Sequence, residues 1–410
     1  MRLIVVAVLA WLWPVLAMAA PTPEAITGLV ERHLGRGGVP GAQVMVVQSG
    51  RALYGKAFGG CGLGGAMTLD RPMPVGDLVH PMTAAAALKL DATGRLDLDA
   101  PTRQDPLRPG QTPRDFLNAP AATPGALGSA VAQAAGRAPA VILAEELFRP
   151  LGMAAAGAVD GRIGGCGHQP AFGVGFPRPE TDPAGVAASA EDLARFAWSL
   201  NAARSHQGLT PNVLWDGPDG WSNGWRRSHW NGEPVFWREG RTRGFSSAVA
   251  ILPQRELSVV VMTNQGPGLR QDPTLGLVRA LVAQQQGLKP PAPEFPWERL
   301  LRFVLLVAVL VVAVRTVDLT WEAREQGRRP GPLGLFGALA FLAAPWALAW
   351  ALAAQLGVDL GRVWDLAPDV PAALVLLCLS GAALSLFGRP LRRRAARPLR
   401  QPLTLEGVSV

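Results

Sequence analysis

Two side chains able to move protons, Asp77 and His80, stand three residues apart just ahead of an alanine-rich helical stretch. At that spacing on a helix they are neighbours, and imidazole is the usual proton shuttle near neutral pH. One arrangement that acylates a serine places its hydroxyl three residues before a lysine that takes its proton. The chain has only Lys56, Lys89 and Lys289, and the residues three before them are Leu53, Ala86 and Gln286. No S-x-x-K spacing exists, and the single tyrosine, Tyr54, lies in a β-rich run. A carboxylate is itself a weak nucleophile toward amides and esters. Asp77 and His80 therefore read either as a replacement dyad or as an eroded site in which Asp77 caps a helix start.

Other polar candidates are sparser. His168 follows Gly164-Gly165-Cys166-Gly167, and His206 and His229 are isolated. Trp215, Trp221, Trp225, Trp230 and Trp237 fall within 23 residues; they can line a sugar-stacking cleft or pack on a sheet. No Cys/His spacing suggests a metal site, and nothing points to an organic cofactor. Cys378 sits in an apolar run and reads as a small packed hydrophobe.

The elements that must position these residues suggest an α+β domain. An amphipathic helix is expected over Pro23–Leu34, broken by Gly37-Gly38-Val39-Pro40-Gly41. Ala42–Gln48 and Ala52–Phe58 read as a hairpin turning at Ser49-Gly50-Arg51, and Phe245–Leu252 with Leu257–Asn264 as a second. A helix is expected near Thr83–Thr93, ending at Gly94, and another from about Asp272 to Gln286. A third opens at Ser189, with Asp192 three residues on, close to a capping box. Strands at both ends with helices between imply one antiparallel sheet completed by both termini, around an inserted helical region.

Several stretches together resemble the serine β-lactamase and penicillin-binding-protein-like superfamily, especially its class C-like, β-lactamase-related branch. They are Gly38-Val39-Pro40-Gly41-Ala42; Leu88-Lys89-Leu90 through Asp99-Ala100-Pro101; Phe148-Arg149-Pro150-Leu151-Gly152-Met153; Ala188 to Phe196; and Gly244-Phe245-Ser246-Ser247 to Thr263-Asn264. The resemblance spans about Pro23 to Gln286 and implies three catalytic motifs. Counting back from Leu96-Asp97-Leu98-Asp99, the nucleophile and base positions fall on Asp77 and His80. The Y-x-N position falls on Ala119-Pro120-Ala121, so Ala119 and Ala121 replace the polar pair. The K-T-G or H-x-G position falls on Arg238-Glu239-Gly240, where Arg238 either keeps a charge for a carboxylate or is simply solvated or ion-paired, and Gly240 keeps close backbone approach. All three motifs are altered together. The resemblance thus implies a degenerate domain acting in binding or regulation, with an active hydrolase on non-standard groups, or an accessory domain of a membrane complex, as alternatives.

The two ends of the chain imply where the domain works. Residues 1–19 have the charged start, apolar run and small-residue Ala17-Met18-Ala19 site of a secretory signal, or, kept uncleaved, form an anchor helix; either way the following segment is exported. The extracytoplasmic domain is expected over 20–290 and a linker over 291–299. Three transmembrane helices are expected within 300–388, at Leu300–Val314, Leu333–Val358 and Val370–Phe387, before a basic tail at 389–410. Arginines cluster after the first and third runs, while Arg362 is the only basic residue of the intervening loop. That orients the large domain outward and the tail into the cytoplasm of a bacterial inner membrane. The formal net charge of +8 is mostly a membrane feature: residues 21–299 hold 26 basic and 24 acidic side chains, residues 300–410 hold 12 and 7. Membrane lipid, through the helices and the tail, is the expected partner of that excess, not nucleic acid. A peptidoglycan peptide or an envelope protein is the expected partner of the domain. Cys61 and Cys166 would share an oxidising compartment, either paired or as free thiols.

Overall fold

The computed structural model describes residues 21–61, 65–101, 111–117, 126–159, 166–171, 174–178, 185–203, 220–266, 272–325, 327, 338–340, 343, 347, 350 and 369–387. The expected signal, the basic tail, most of the Leu333–Val358 run, Ala119, Ala121, His206 and Trp215 lie outside them.

Helix α1 (Pro23–Gly37) starts where the sequence provides a cap: the Thr22 hydroxyl accepts from the Ala25 amide, and Pro23 sits in the first turn. It ends at Gly38, whose φ of 56° closes the helix in the left-handed region. Strands β1 (Gly41–Gln48) and β2 (Arg51–Gly59) form the first hairpin. Then come α2 (Val79–Ala92), shorter helices through Leu151, and α3 (Ala190–Ala203). Strands β3 (Gly220–Ser222), β4 (Trp225–Trp230), β5 (Glu233–Thr242), β6 (Phe245–Leu252) and β7 (Leu257–Thr263) follow, then α4 (Pro273–Gln285). The sheet has seven strands in the order β2-β1-β7-β6-β5-β4-β3, so the N-terminal hairpin completes it beside the last strand, as expected. The tryptophan-rich segment, beyond the strand at Arg238, was not expected to add two more strands at one edge.

The central strands β1, β6 and β7 are buried almost throughout, because both sheet faces are covered. Val44, Val46, Ala248, Ala250, Val259 and Val261 face the layer that contains Ile26, Leu29 and Val30 of α1 and Leu277, Val278 and Leu281 of α4. Met45, Val47, Val249, Ile251, Val260 and Met262 face the helical region, together with Met82, Leu90, Leu193 and Phe196. The register pairs Val44 with Val261 and Ala248 with Val261. A slip of one residue would exchange the two faces. The Ser189–Asp192 box forms reciprocally: the Asp192 amide donates to the Ser189 hydroxyl and the Ser189 amide to the Asp192 carboxylate, each at 3.1 Å.

Cys61 and Cys166 form a disulfide across 105 residues of sequence. Asn264 ties the same place together. It is fully buried, its side-chain amide donates to the Gly60 and Cys166 carbonyls at 2.9 Å each, and its backbone amide donates to the Gly41 carbonyl at 3.1 Å.

The residues from 303 onward belong, apart from 365–367, to a second unit. Helix α5 (Trp297–Glu325) is longer than the expected Leu300–Val314 span. No glycine or proline interrupts the chain between Pro296 and Gly327, so the helix continues past Arg315 and the linker ends at 296 instead of 299. Its Trp297–Glu322 stretch, 26 residues of mean hydropathy 2.5, is long and apolar enough to cross a membrane. It is the one such single helix among the described residues; α6 (Asp369–Phe387) has a shorter apolar run, Ala372–Leu386.

Closing a loop of about 100 residues restricts the unfolded chain by roughly 4–5 kcal/mol in the chain-entropy picture. Paired Cys61→Ser and Cys166→Ser substitution is expected to lower domain stability by about 2–5 kcal/mol. Denaturant unfolding with and without reductant checks this; unfolding of the wild type that is insensitive to reductant would refute it.

Candidate functional site

Asp77 lies in one 3₁₀ turn, Gly76–Leu78, that runs directly into α2, and His80 occupies the first turn of α2. Two glycines hold this turn against the sheet. Gly76 has φ +55°, and a Cβ there would lie 2.5 Å from the Arg241 amide nitrogen. Opposite it, a Cβ on Gly240 would lie 1.8 Å from the Val75 carbonyl oxygen and 2.5 Å from the Ser247 hydroxyl. That hydroxyl donates to the same Val75 carbonyl at 3.0 Å. Strand β5 and the turn therefore meet backbone to backbone. Arg238, two residues from Gly240, points to the same side of the strand, toward His80 and Asp77.

His80 is fixed by its neighbours. Its Nε2–H donates to the Leu117 carbonyl at 3.3 Å, since a carbonyl can only accept. The turn between β3 and β4 closes over the ring: Gly224 has φ +83°, and a Cβ there would lie 2.6 Å from His80 Cδ2. Burial pushes the imidazole below its ordinary 6.5, the Leu117 carbonyl pushes it back, and the Arg238 charge lowers it further. The ring is thus neutral at pH 7, with one N–H already committed. The Arg238 guanidinium lies 4.7 Å from the centroid of Trp221. Burial lowers its pKa, and the Asp77 and Glu239 carboxylates act against that burial. Asp77 and His80 on the helix head and the sequence-distant Arg238 form one half-buried cluster.

Lysine does not enter this cluster. Lys89, near the far end of α2, donates to the Glu146 carbonyl at 2.9 Å and stands 3.5 Å from the Glu146 carboxylate, which also holds Arg95 at 2.8 Å. Lys56 lies over Phe58 on β2. The residues that the sequence reading passed over are structural neighbours. They are Gly76 and Gly224 as close-approach points, and Ser222, whose hydroxyl is buried without a partner among the described residues two residues before Gly224; Trp221, from the tryptophan cluster, is the platform for Arg238. Gly76 and Gly224 carried a signal, as glycines next to Asp77 and Asn223 in turn contexts. Ser222 carried none. Of the tryptophans, Trp225 is fully buried beside Phe196 and Trp237 nearly so, which is packing. His168 is also structural: Nδ1–H donates to the Asn264 carbonyl at 3.2 Å.

The next residues on β5 point the other way. Arg241 stands 2.8 Å from Glu239 and 3.7 Å from Asp272, the buried N-cap of α4. Burial pushes the Asp272 carboxyl up, and Arg241 acts against it.

Replacing Gly240 with Ala places a methyl against backbone that has no room to yield, so a loss of about 1–3 kcal/mol or more is expected in denaturant unfolding. An unchanged midpoint would mean that the strand and turn can separate freely. The lowered His80 value has a sign. Below pH 6.5 the unfolded chain takes up a proton that the folded ring resists, so stability falls as pH drops through 6.5 and levels off below the folded value. His33, lowered by its own burial, acts in the same direction. The fall is expected to shrink in His80→Asn; a variant with the full pH dependence would place the effect elsewhere.

The comparisons with known proteins agree with this geometry. The family model described as Beta-lactamase matches residues 26–126 and 121–284. Among solved structures, the chain is similar to a D-amino acid amidase from Ochrobactrum anthropi SV3 complexed with L-phenylalanine (TM-score 0.54, 17% identity, 64% of this chain and 97% of that one). It is also similar to D-alanine carboxypeptidase AmpC from Burkholderia cenocepacia (0.53, 18%, 64% and 97%) and to an octameric penicillin-binding protein homologue from Pyrococcus abyssi (0.53, 18%, 65% and 77%). At these identities the likeness shows the fold alone. No curated protein sequence matches the chain. The family match covers well over half of the sequence, and with the seven-stranded sheet and the turn–helix site it establishes that the chain belongs to the β-lactamase family, with that family's serine-hydrolase fold.

Proposed function

We propose that this protein is a membrane-anchored, extracytoplasmic member of the family that binds a ligand at the family's site without acylating on it, in a binding or regulatory role at the cell envelope. One observation carries the reading. Asp77 and His80 stand where the resemblance puts the serine and lysine, and the His80 Nε2–H is committed to the Leu117 carbonyl. Asp77 is a weak nucleophile, and a neutral ring that already donates one N–H lacks a hydroxyl to activate. What remains is recognition: a half-buried guanidinium over an indole, suited to a carboxylate. The solved relatives named as a D-alanine carboxypeptidase and a D-amino acid amidase suggest a D-amino-acid carboxylate, as in a peptidoglycan peptide. The signal-like residues 1–19, the apolar α5 and α6, the Leu333–Val358 run and the arginine tail support anchorage in a bacterial inner membrane with the domain outside.

A second reading, an active hydrolase on non-standard groups, is favoured by Ser222. Its buried hydroxyl has no partner among the described residues and sits two residues from the glycine that closes on His80.

The test is the full chain in detergent with a fluorescent penicillin and a fluorophosphonate, beside titration with a D-alanyl-D-alanine-terminated peptide. No covalent label is expected, and peptide binding is expected to weaken at least tenfold in Arg238→Gln, about the cost of one charged hydrogen bond. Label lost in Ser222→Ala would overturn the binding reading in favour of the hydrolase. Release of the chain from membranes by alkaline carbonate would overturn the anchorage.

A further inference from the structure

The face of the sheet away from Arg238 carries a second recess. Trp237, one residue along β5, points to the α4 side, and its indole N–H donates to the Ser228 hydroxyl at 2.9 Å. The Arg226 guanidinium lies 5.2 Å from the Trp237 centroid. Arg279, on α4, lies 5.8 Å from the same ring and 5.3 Å from Trp230, so cations and indoles alternate. Lys289, just past α4, completes an open groove of about 710 Å³ with exposed Leu288 at its rim. No carboxylate lines this groove, and none of Arg226, Arg279 and Lys289 meets a carboxylate among the described residues. A cation stacked on a ring keeps its charge and turns its remaining N–H groups outward.

The groove's position in the chain indicates its occupant. Lys289 lies eight residues before Trp297, where α5 begins. Four of the intervening residues are prolines, 290, 291, 293 and 296, so the connection is a short, semi-rigid spacer of roughly 25 Å at most. The spacer is also held to the domain: Arg36, in the last turn of α1, lies 5.7 Å over the Phe295 ring, and Arg299 donates to the Gly38 carbonyl at 3.4 Å. Basic side chains, the part-buried indole of Trp230 and an exposed leucine are the composition of a membrane–water interface.

We infer that this groove docks the phosphodiester headgroups of anionic phospholipids in the leaflet that α5 enters, seating the domain on the membrane surface. The inference rests on the anchored reading above. Each basic side chain near an anionic surface contributes about fivefold in affinity.

The test places the full chain in nanodiscs of phosphatidylglycerol or phosphatidylcholine and follows hydrogen exchange of peptides covering 226–237 and 279–289. At least fivefold slower exchange is expected in the anionic discs, diminishing at raised salt. Arg226→Gln with Lys289→Gln, both exposed, is expected to abolish the difference while leaving exchange of the β1 and β7 core unchanged. Equal exchange in both lipids would overturn the inference while leaving the anchorage intact. Equal protection by inorganic phosphate or soluble peptidoglycan fragments in detergent would also overturn it, by assigning the groove another occupant. A chain that does not co-elute with the discs would remove the anchored reading and this inference with it.

Discussion

The contact of Gly240 with the Val75 carbonyl sets the geometry of everything around it. A strand and a turn approach so closely that the space for a Cβ is taken by an oxygen atom. The Ser247 hydroxyl and the Leu78 amide both donate to that oxygen, at 3.0 and 3.3 Å. With the two backbones fixed, the start of α2 has one place to go, and Asp77 and His80 are delivered beside Arg238. Loosening this contact would leave the side chains present but misplaced, and an ångström is enough to spoil recognition of a planar group.

Strand alternation then separates two kinds of chemistry on one element. Arg238 and Gly240 face the helical region; Trp237, Glu239 and Arg241 face α4. The first face holds a desolvated cation restrained by Asp77, and the second holds an ion chain ending at the cap of α4 and a cation–indole stack at the sheet edge. The two-residue period makes these sets independent. A substitution at 238 can alter the cluster at the head of α2 without disturbing the seat of α4.

Much of the frame was legible in the residues. The two valine-rich hairpins had turn signals between apolar runs, and Ser189 with Asp192 announced a helix start that formed as written. Helix α5 runs past the charged Arg315 because helices stop at glycine and proline more readily than at arginine. Strands β3 and β4 were hidden because their tryptophans and arginines show no clean alternation: the edge strands face solvent, the α4 layer and the helical region in turn. The site was legible only as positions. That Asp77, His80 and Arg238 converge follows from the sheet order, which no local pattern reveals. Ser222 had no sequence signal, since an unpartnered hydroxyl is a property of its buried surroundings.

The electrostatics of the cluster bear on what it can recognise. The resemblance implies a serine and the lysine that takes its proton at the head of the helix, with a second basic residue on the facing strand. Here the helix head holds a carboxylate and a neutral imidazole, and only the strand cation remains. A cation desolvated by packing over Trp221 needs compensation, and Asp77 supplies part of it from within the chain. An incoming carboxylate must then compete with Asp77 for the same guanidinium, which weakens binding, or arrive with a donor that satisfies Asp77 as well. A zwitterionic terminus or an amide N–H next to a carboxylate meets both demands; a simple anion meets only one. On the proposed binding reading, the altered residues would narrow the ligand to a group that presents donor and acceptor side by side, a more specific requirement than the loss of a nucleophile by itself would impose.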